Sequence, residues 1–102
     1  MFETISMRQL EALLDRGGVF TLLDVRDMMS FWAGHLEGAV NIPLEELEMR
    51  TGEIPKDRPV IIYCGHGSRS LLAARLLDGL GFHAVSTAGG LSYYRGRHFV
   101  VP

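Results

Sequence analysis

Cys64 is the single cysteine of this chain, and it stands where a strand-like segment meets a glycine-rich one. The apolar run Val60–Tyr63 leads into it, Gly65–Ser70 follows, and residues 71–80 then have the composition of a helix. Backbone N–H groups in such a turn, and the positive end of the helix behind it, favour negative charge. The layout predicts an anion-binding loop headed by a thiol that ionises more readily than free cysteine and acts as a nucleophile.

A lone cysteine also has a second interpretation, because free cysteine is commonly a small, buried and unreactive hydrophobic side chain. Gly65 and Gly67, which follow Cys64 closely, favour the nucleophile instead. Both interpretations place the sulfur at the end of a buried strand.

Composition and length restrict the class of protein. The 102 residues, 47% of them hydrophobic and 22% charged, predict one globular domain spanning residues 1–102. A formal net charge of −2 argues against nucleic acid or an anionic membrane surface as a partner. One cysteine forms no internal disulfide, no signal peptide is visible, and no apolar run approaches the roughly 20 residues of a membrane-spanning helix. We therefore expect a soluble cytoplasmic protein with no membrane partner.

Hydrophobic periodicity and turn residues divide the chain into alternating strands and helices. Apolar runs predict strands at residues 19–25, 39–42, 60–63 and 84–86. Helices are predicted from a Ser6 capping box to Gly17, at 27–32, at 44–50 and from 71 to Leu80. In the helix at 44–50, Leu44 and Leu47 are expected to face inward. Short turns are predicted at 51–57 and 91–95. This alternation indicates an α/β fold with a mostly parallel sheet.

The helix at 71–80 carries several apolar side chains at helical spacing. They predict a wide stripe that faces the core and consists of Leu72, Ala73, Leu76, Leu77 and Leu80. Gly81 is expected to end this helix.

Four short motifs occur in order along nearly the whole chain. They are Asp24-Val25-Arg26, Gly34-His35-Leu36-Glu37-Gly38-Ala39-Val40-Asn41-Ile42-Pro43, Cys64-Gly65-His66-Gly67-Ser68-Arg69-Ser70 and Gly89-Gly90-Leu91. Together they resemble the motifs of the single-domain rhodaneses. The resemblance implies a three-layer α/β domain in which helices flank a mostly parallel, five-stranded sheet. The chain departs from the family pattern at Ser30, where an acidic residue is usual, at Tyr94, where tryptophan is usual, and in its tail at 96–102.

The resemblance also implies an activity, the transfer of sulfane sulfur. Cys64 would take a sulfur atom from a donor such as thiosulfate, become a persulfide, and pass the sulfur to cyanide, a thiol or a protein. The implied partners are a small-molecule sulfur donor and a thiol or protein acceptor. The chain's four histidines show no metal-ligand spacing, so we expect no metal site and no cofactor.

Several residues of the loop are suited to holding an anionic persulfide on Cys64. Gly65 and Gly67 are expected to adopt positive φ angles and to aim N–H groups inward. Ser68 and Ser70 are expected to add hydroxyl donors. Preorganised dipoles of this kind would be the main contribution of the protein to the rate.

The charged and aromatic candidates have more than one interpretation each. Arg69 either attracts an anionic donor or bonds loop carbonyls from the first turn of its helix, and both roles are compatible. His66 is expected to shape the loop or face the substrate rather than transfer protons. Asp24 and Arg26 are expected to form an ion pair or clamp beneath the loop, and His35 to fix the turn before residue 38 by hydrogen bonds.

Met28, Met29, Phe31 and Trp32 form a dense apolar cluster in one short segment. Packing into the core is the interpretation we favour, although four such residues cannot all face inward. The other interpretation is a surface for a partner or for a homodimer near the site.

Two other functions remain open from the sequence. Cysteine phosphatases and arsenate reductases use a similar loop, but they need five residues between cysteine and arginine. Here four residues separate Cys64 from Arg69, and Ser70 stands at the phosphatase arginine position. The second alternative is a persulfide carrier without turnover, or a rhodanese-like module used only for binding.

Overall fold

The computed structural model describes residues 1–102 as a mixed α/β fold. The helices are α1 (Met7–Arg16), α2 (Met28–Ala33) and α3 (Ser68–Gly79). The strands are β1 (Glu3–Ile5), β2 (Thr21–Asp24), β3 (His35–Leu36), β4 (Val40–Asn41), β5 (Val60–Tyr63), β6 (Ala84–Thr87) and β7 (Phe99–Val100). Short 3₁₀ turns lie at Leu44–Glu46, Thr51–Glu53 and Leu91–Tyr93. None of the helices has both the length and the apolar character that crossing a membrane requires.

Five strands form one sheet in the order β1-β6-β5-β2-β4, and every neighbouring pair is parallel. The predicted five-stranded sheet is therefore confirmed. A separate antiparallel pair joins β3 to β7. The register of β2 and β5 sets Asp24 opposite Tyr63, so both strands end at the same edge of the sheet.

The sheet separates two apolar clusters, because successive side chains of a strand point to opposite faces. Leu23 and Ile62 belong to the cluster that α3 covers. Leu22 and Ile61 belong to the cluster that α1 covers. The predicted three-layer arrangement is confirmed, with β5 buried at its centre.

Two predicted helix starts are also confirmed. In α1 the Gln9 N–H donates to the Ser6 hydroxyl over 3.0 Å, and the Ser6 N–H donates to the Gln9 side chain over 2.8 Å, which completes a capping box. In α2 the Asp27 carboxylate accepts from the Ser30 N–H over 2.8 Å. These local bonds fix where each helix begins.

The predicted helix at residues 44–50 is wrong, because only residues 44–46 form a 3₁₀ turn. The Leu44 N–H donates to the Val25 carbonyl over 3.1 Å, which ties the segment to the end of β2. Leu47 and Arg50 continue with bonds to the residue three positions earlier. These tight turns still carry Leu47 into the core, as predicted, and leave Leu44 partly buried against it.

The predicted apolar stripe of α3 is wrong at its edges. Ala73, Ala74 and Leu77 are buried, whereas Leu72 and Leu80 are 54% and 43% exposed. Small side chains let α3 pack closely on the sheet, so the buried face is narrower than the leucine pattern indicated.

Three strands were not predicted, namely β1, β3 and β7. Each is only two or three residues long and depends on a partner that is distant in sequence. Strand β2 is shorter than predicted, since Val19 lies outside it and is exposed.

The segment after the last 3₁₀ turn is attached to α1 by charged side chains. His98 Nε2 lies 2.8 Å from Asp15 Oδ1, and Arg97 Nη2 lies 3.0 Å from the same oxygen. Glu11 and Glu37 also face the imidazole, at 3.8 and 3.7 Å. The hydrogen bond to Asp15 raises the pKa of His98, and partial burial opposes this only in part.

We expect stability to fall as the pH rises through the raised pKa of His98. The imidazolium stabilises the fold fully below its ordinary pKa of about 6.5, and this contribution is lost once His98 deprotonates in the folded state. Thermal unfolding midpoints measured between about pH 5.5 and 8.5 should fall further for the wild type than for His98→Gln. Asp15→Asn removes the main partner and should flatten the profile in the same way. Superimposable profiles for the three proteins would contradict this account.

Candidate active site

A cleft of about 290 Å³ opens at the carboxyl edge of the sheet, where β2 and β5 end. Its walls come from the two segments that follow these strands, because the parallel register places them side by side. The lining residues are Arg26, Asp27, Ser30, Cys64, Gly65, His66, Ser68 and Arg69. Asp27 and Ser30 were not predicted as site residues. Their signals in the sequence were a helix start directly after the Asp24–Arg26 motif and, for Ser30, a departure from the family pattern.

Cys64 forms the floor of this cleft. The residue is only 1% exposed, and its Sγ accepts the Gly67 N–H over 2.9 Å and the Ser70 N–H over 3.3 Å. Both amides lie at the N-terminus of α3, where the helix dipole is positive. The sulfur therefore accepts two backbone donors at the positive end of α3, an arrangement suited to an anionic sulfur.

Only one of the two loop glycines has the predicted positive φ angle. Gly67 has φ +96° and precedes α3, and a side chain there would press on the Gly89 amide, at 3.0 Å from its nitrogen. Gly65 has no positive φ, so that part of the prediction is wrong. The chain turns once, at Gly67, and this single turn aims the amide at Cys64.

A second glycine turn holds the loop from the other side. The Leu91 N–H donates to the Cys64 carbonyl over 2.7 Å, and the Ser92 N–H donates to the Gly65 carbonyl over 3.0 Å. Gly90 has φ +72°, and a Cβ there would overlap the backbone of Gly65 and His66. Gly90 thus supports the loop, a role that was not predicted from its place in the Gly89-Gly90-Leu91 motif.

Ser70 contributes its backbone and not its hydroxyl, which corrects the prediction for this side chain. Its Oγ lies 3.0 Å from the Gly67 carbonyl, 3.1 Å from the Thr87 carbonyl and 3.2 Å from the Ser86 hydroxyl. The side chain is buried and ties the loop to the end of β6. Ser68 is exposed and lines the cleft, as expected of a possible donor.

Asp24 and Arg26 form the predicted ion pair, at a distance of 2.7 Å from Arg26 Nη2 to Asp24 Oδ2. The Asp24 carboxylate is fully buried and also accepts the Arg26 N–H over 2.9 Å. Arg26 Nη2 donates in addition to the Gly34 carbonyl over 2.7 Å. Burial disfavours the charge on Arg26, but the bonds to Asp24 outweigh it and raise the pKa of the guanidinium.

Asn41 and His35 stabilise the neighbouring segments. The Asn41 side chain donates to the Asp24 and Arg26 carbonyls over 3.0 and 2.9 Å. The His35 ring stacks on Phe31 at 3.7 Å, and its Nδ1 lies 2.8 Å from the Phe31 carbonyl. His35 is therefore structural, but it bonds back to α2 and not to the turn before residue 38 as predicted.

Arg69 and His66 stand at the mouth of the cleft. Arg69 pairs with Glu45 over 2.7 Å and bonds no loop carbonyl, so the scaffolding role predicted for it is wrong in that detail. His66 is exposed, and its Nδ1 lies 3.2 Å from the Ser92 hydroxyl. Both side chains are exposed and line the cleft, so they are accessible to a ligand that enters it.

The Met28–Trp32 cluster packs inward only at Phe31, which is buried. Met28, Met29 and Trp32 are 61%, 80% and 59% exposed, so the favoured core interpretation is wrong for three of the four. We call these three side chains the α2 patch. Met28 and Trp32 line a separate cleft with Asn41, Pro43, Glu46 and Arg50. The patch begins directly after Asp27, which lines the cleft of Cys64.

Comparison with known proteins agrees with this geometry. The sequence profile described as "Rhodanese-like domain" matches residues 6–96. A "Thiosulfate sulfurtransferase GlpE" from Tolumonas auensis is 38% identical over 95 residues, which cover 92% of this chain and 89% of that protein. A "Putative sulfur carrier protein YrkF" from Bacillus subtilis is 35% identical over 79% of this chain and 44% of its own length. A rhodanese-related protein from Thermoplasma volcanium superposes with a TM-score of 0.85 and 26% identity, covering 99% of this chain and all of that one.

We expect Gly90→Ala to distort the loop and to destabilise the protein by about 2 kcal/mol or more, because it combines a left-handed backbone with steric overlap. Gly79→Ala is the matched control, since it lies in α3 with nothing near its Cβ. That control should be neutral or stabilising by about 0.5–1 kcal/mol. Urea unfolding and the rate of Cys64 alkylation measure both effects. Wild-type values for Gly90→Ala would show that the second turn does not hold the loop.

Proposed function

The chain belongs to the rhodanese-like domain family, and on this basis we propose that it is a sulfurtransferase. It moves sulfane sulfur from a donor such as thiosulfate through a persulfide on Cys64 to a thiophilic acceptor. One observation carries the proposal: the only thiol of the chain forms the floor of an open cleft and accepts two backbone N–H groups. A curated relative of nearly the same length, named for thiosulfate sulfurtransfer, supports the same reaction.

The proposed chemistry has two displacement steps and balances without a cofactor. The Cys64 thiolate attacks the outer sulfur of thiosulfate, an S–S bond to Cys64 forms, and sulfite leaves with the electron pair of the broken S–S bond. An acceptor such as cyanide then attacks the outer sulfur of the persulfide. Thiocyanate leaves and the Cys64 thiolate is restored. No net proton transfer is needed, which agrees with a histidine at the rim instead of beside the sulfur.

The loop supports this chemistry through its backbone. The outer sulfur of a persulfide is anionic, and in a cleft partly shielded from water fixed dipoles stabilise it strongly. The amides of Gly67 and Ser70 and the positive end of α3 converge on that region. The buried Asp24–Arg26 pair supports the segment opposite the loop and so keeps the cleft open.

Phosphoryl or arsenyl transfer is disfavoured at this site. The position where a phosphatase would have its arginine is Ser70, whose side chain is buried against β6. No guanidinium therefore stands at the phosphatase arginine position, since Arg69 lies one residue earlier and pairs with Glu45. The four residues between Cys64 and Arg69 also leave less room for a tetrahedral oxyanion.

The α2 patch favours a protein over cyanide or a small thiol as the physiological acceptor, and it is equally compatible with the alternative of a persulfide carrier without turnover. Exposed methionine and tryptophan side chains are typical anchors of protein contacts, and this patch begins directly after Asp27, which lines the cleft that holds Cys64. A relative named as a putative sulfur carrier agrees with such a role. A homodimer contact on the same patch is the competing explanation. The proposal includes a cytoplasmic location, because thiols stay reduced there.

We expect thiosulfate to add the mass of one sulfur atom to the intact wild-type protein, and cyanide to remove it. Cys64→Ser should lose both the mass shift and all sulfurtransfer, because no other thiol is present. Intact-protein mass spectrometry and a thiocyanate assay measure these outcomes. Phosphate-ester hydrolysis by the wild type should stay at background. Sulfurtransfer by Cys64→Ser, or robust phosphatase turnover, would contradict the assignment.

We expect Trp32→Ala to slow sulfur transfer to a protein thiol, with reduced thioredoxin as the probe, by about fivefold or more, as loss of an interface anchor does. Transfer to cyanide should change less than about twofold, because cyanide needs no docking surface. Val19→Ala is the control, since Val19 is also an exposed apolar residue but precedes β2 at the opposite edge of the sheet. Sedimentation of both variants tests the dimer explanation. Equal loss with both acceptors, or a change in oligomeric state, would contradict the docking role.

A further inference from the structure

We propose that Glu45 determines donor specificity by occupying the Arg69 guanidinium, so that a doubly charged anion must compete with this carboxylate to enter the cleft. The inference rests on the proposed sulfurtransfer and names the class of donor that the site prefers. Glu45 makes the cleft selective for donors that carry less negative charge than thiosulfate.

The contact joins two separate elements at the mouth. Arg69 Nη1 donates to Glu45 Oε2 over 2.7 Å, from the first turn of α3 to the 3₁₀ turn after Pro43. Arg69 lines the cleft, whereas Glu45 does not, so the carboxylate holds the guanidinium from outside. The bond between the Leu44 N–H and the Val25 carbonyl fixes the Glu45 turn next to the end of β2. The pairing thus depends on the fold and not on a flexible tail.

Each of the two arginines that line the cleft already has a carboxylate partner. The positive charge of Arg26 is already balanced by buried Asp24. The charge of Arg69 is balanced by Glu45. Asp27 adds a further carboxylate to the lining. Excluding His66, the mouth is therefore net negative, which opposes a dianion.

The carboxylates of Glu45 and Asp27 are both ionised at neutral pH. The pKa of Glu45 is lowered by the backbone N–H of Glu45 and then by the Arg69 guanidinium, although desolvation and the nearby charge of Asp27 oppose this. The backbone and hydroxyl of Ser30 lower the pKa of Asp27. The carboxylate that Glu45 presents to Arg69 is thus a permanent charge in the physiological range.

The pair is half-exposed, and this sets the size of the effect. The Arg69 and Glu45 side chains are 48% and 64% exposed, and ion pairs this exposed contribute little binding energy. Releasing Arg69 should therefore strengthen binding of a dianion by about two- to fivefold. The effect should weaken with added salt, because screening acts on exposed charges.

The experiment compares Glu45→Gln with Glu46→Gln, its neighbour in the same turn, which pairs with Arg50 over 2.8 Å. Kinetics are measured with thiosulfate, a dianion, and with methanethiosulfonate, a monoanion that donates sulfur by the same displacement. Glu45→Gln should lower the KM for thiosulfate about two- to fivefold, lower that for methanethiosulfonate less, and leave kcat unchanged. Glu46→Gln should change neither KM. In about 0.5 M salt the difference between wild type and Glu45→Gln should disappear.

A double-variant comparison shows whether Glu45 acts through Arg69. In an Arg69→Ala background, Glu45→Gln should change the KM for thiosulfate less than it does in the wild type, because no guanidinium remains to be released. If the wild type forms the persulfide, the inference is overturned by an unchanged or raised KM for thiosulfate in Glu45→Gln. An equal lowering of that KM in Glu46→Gln would also overturn it. A wild type that forms no persulfide would instead overturn the proposed function.

Discussion

The parallel direction of all five main strands is the constraint on which the site depends. Loops that follow parallel strands meet at one edge, and here the pairing of Asp24 with Tyr63 sets the ends of β2 and β5 level. The Arg26 segment and the Cys64 loop thereby become the two walls of one cleft, although they are far apart in sequence. The end of β6 completes the arrangement, because the Thr87 carbonyl lies within reach of the Ser70 hydroxyl.

Asp24 connects this edge to the stability of the fold. A carboxylate that is fully buried needs compensation, and removing one partner of such a pair typically costs about 3–5 kcal/mol. Arg26 donates to the Asp24 carboxylate from both its guanidinium and its backbone N–H. The Asn41 side chain donates to the backbone carbonyls of Asp24 and Arg26. The wall opposite Cys64 is therefore rigid for the same reason that the fold is stable, and rigidity keeps the amides that face the sulfur preorganised.

The sequence was a reliable guide wherever the decisive forces are local. Strand β5, the caps of α1 and α2, and the thiol at the head of a turn all follow from residues within a few positions of one another. The sequence failed where a partner lies far along the chain. The Ser70 hydroxyl bonds to β6, Arg69 pairs with Glu45, and β1 forms only because β6 is beside it. Propensity and periodicity contain no information about such partners, so these features required the folded arrangement.

The burial of Cys64 also bears on oxidation. Two copies of the chain form an intermolecular disulfide only if their Cα atoms approach to about 4.4–6.8 Å, which a sulfur at the floor of a cleft and 1% exposed prevents unless the loop opens. Oxidation to sulfenic acid and beyond likewise depends on access to the sulfur. The position of Cys64 at the floor of the cleft thus also limits its oxidation, in a chain that has no second cysteine to reduce it again.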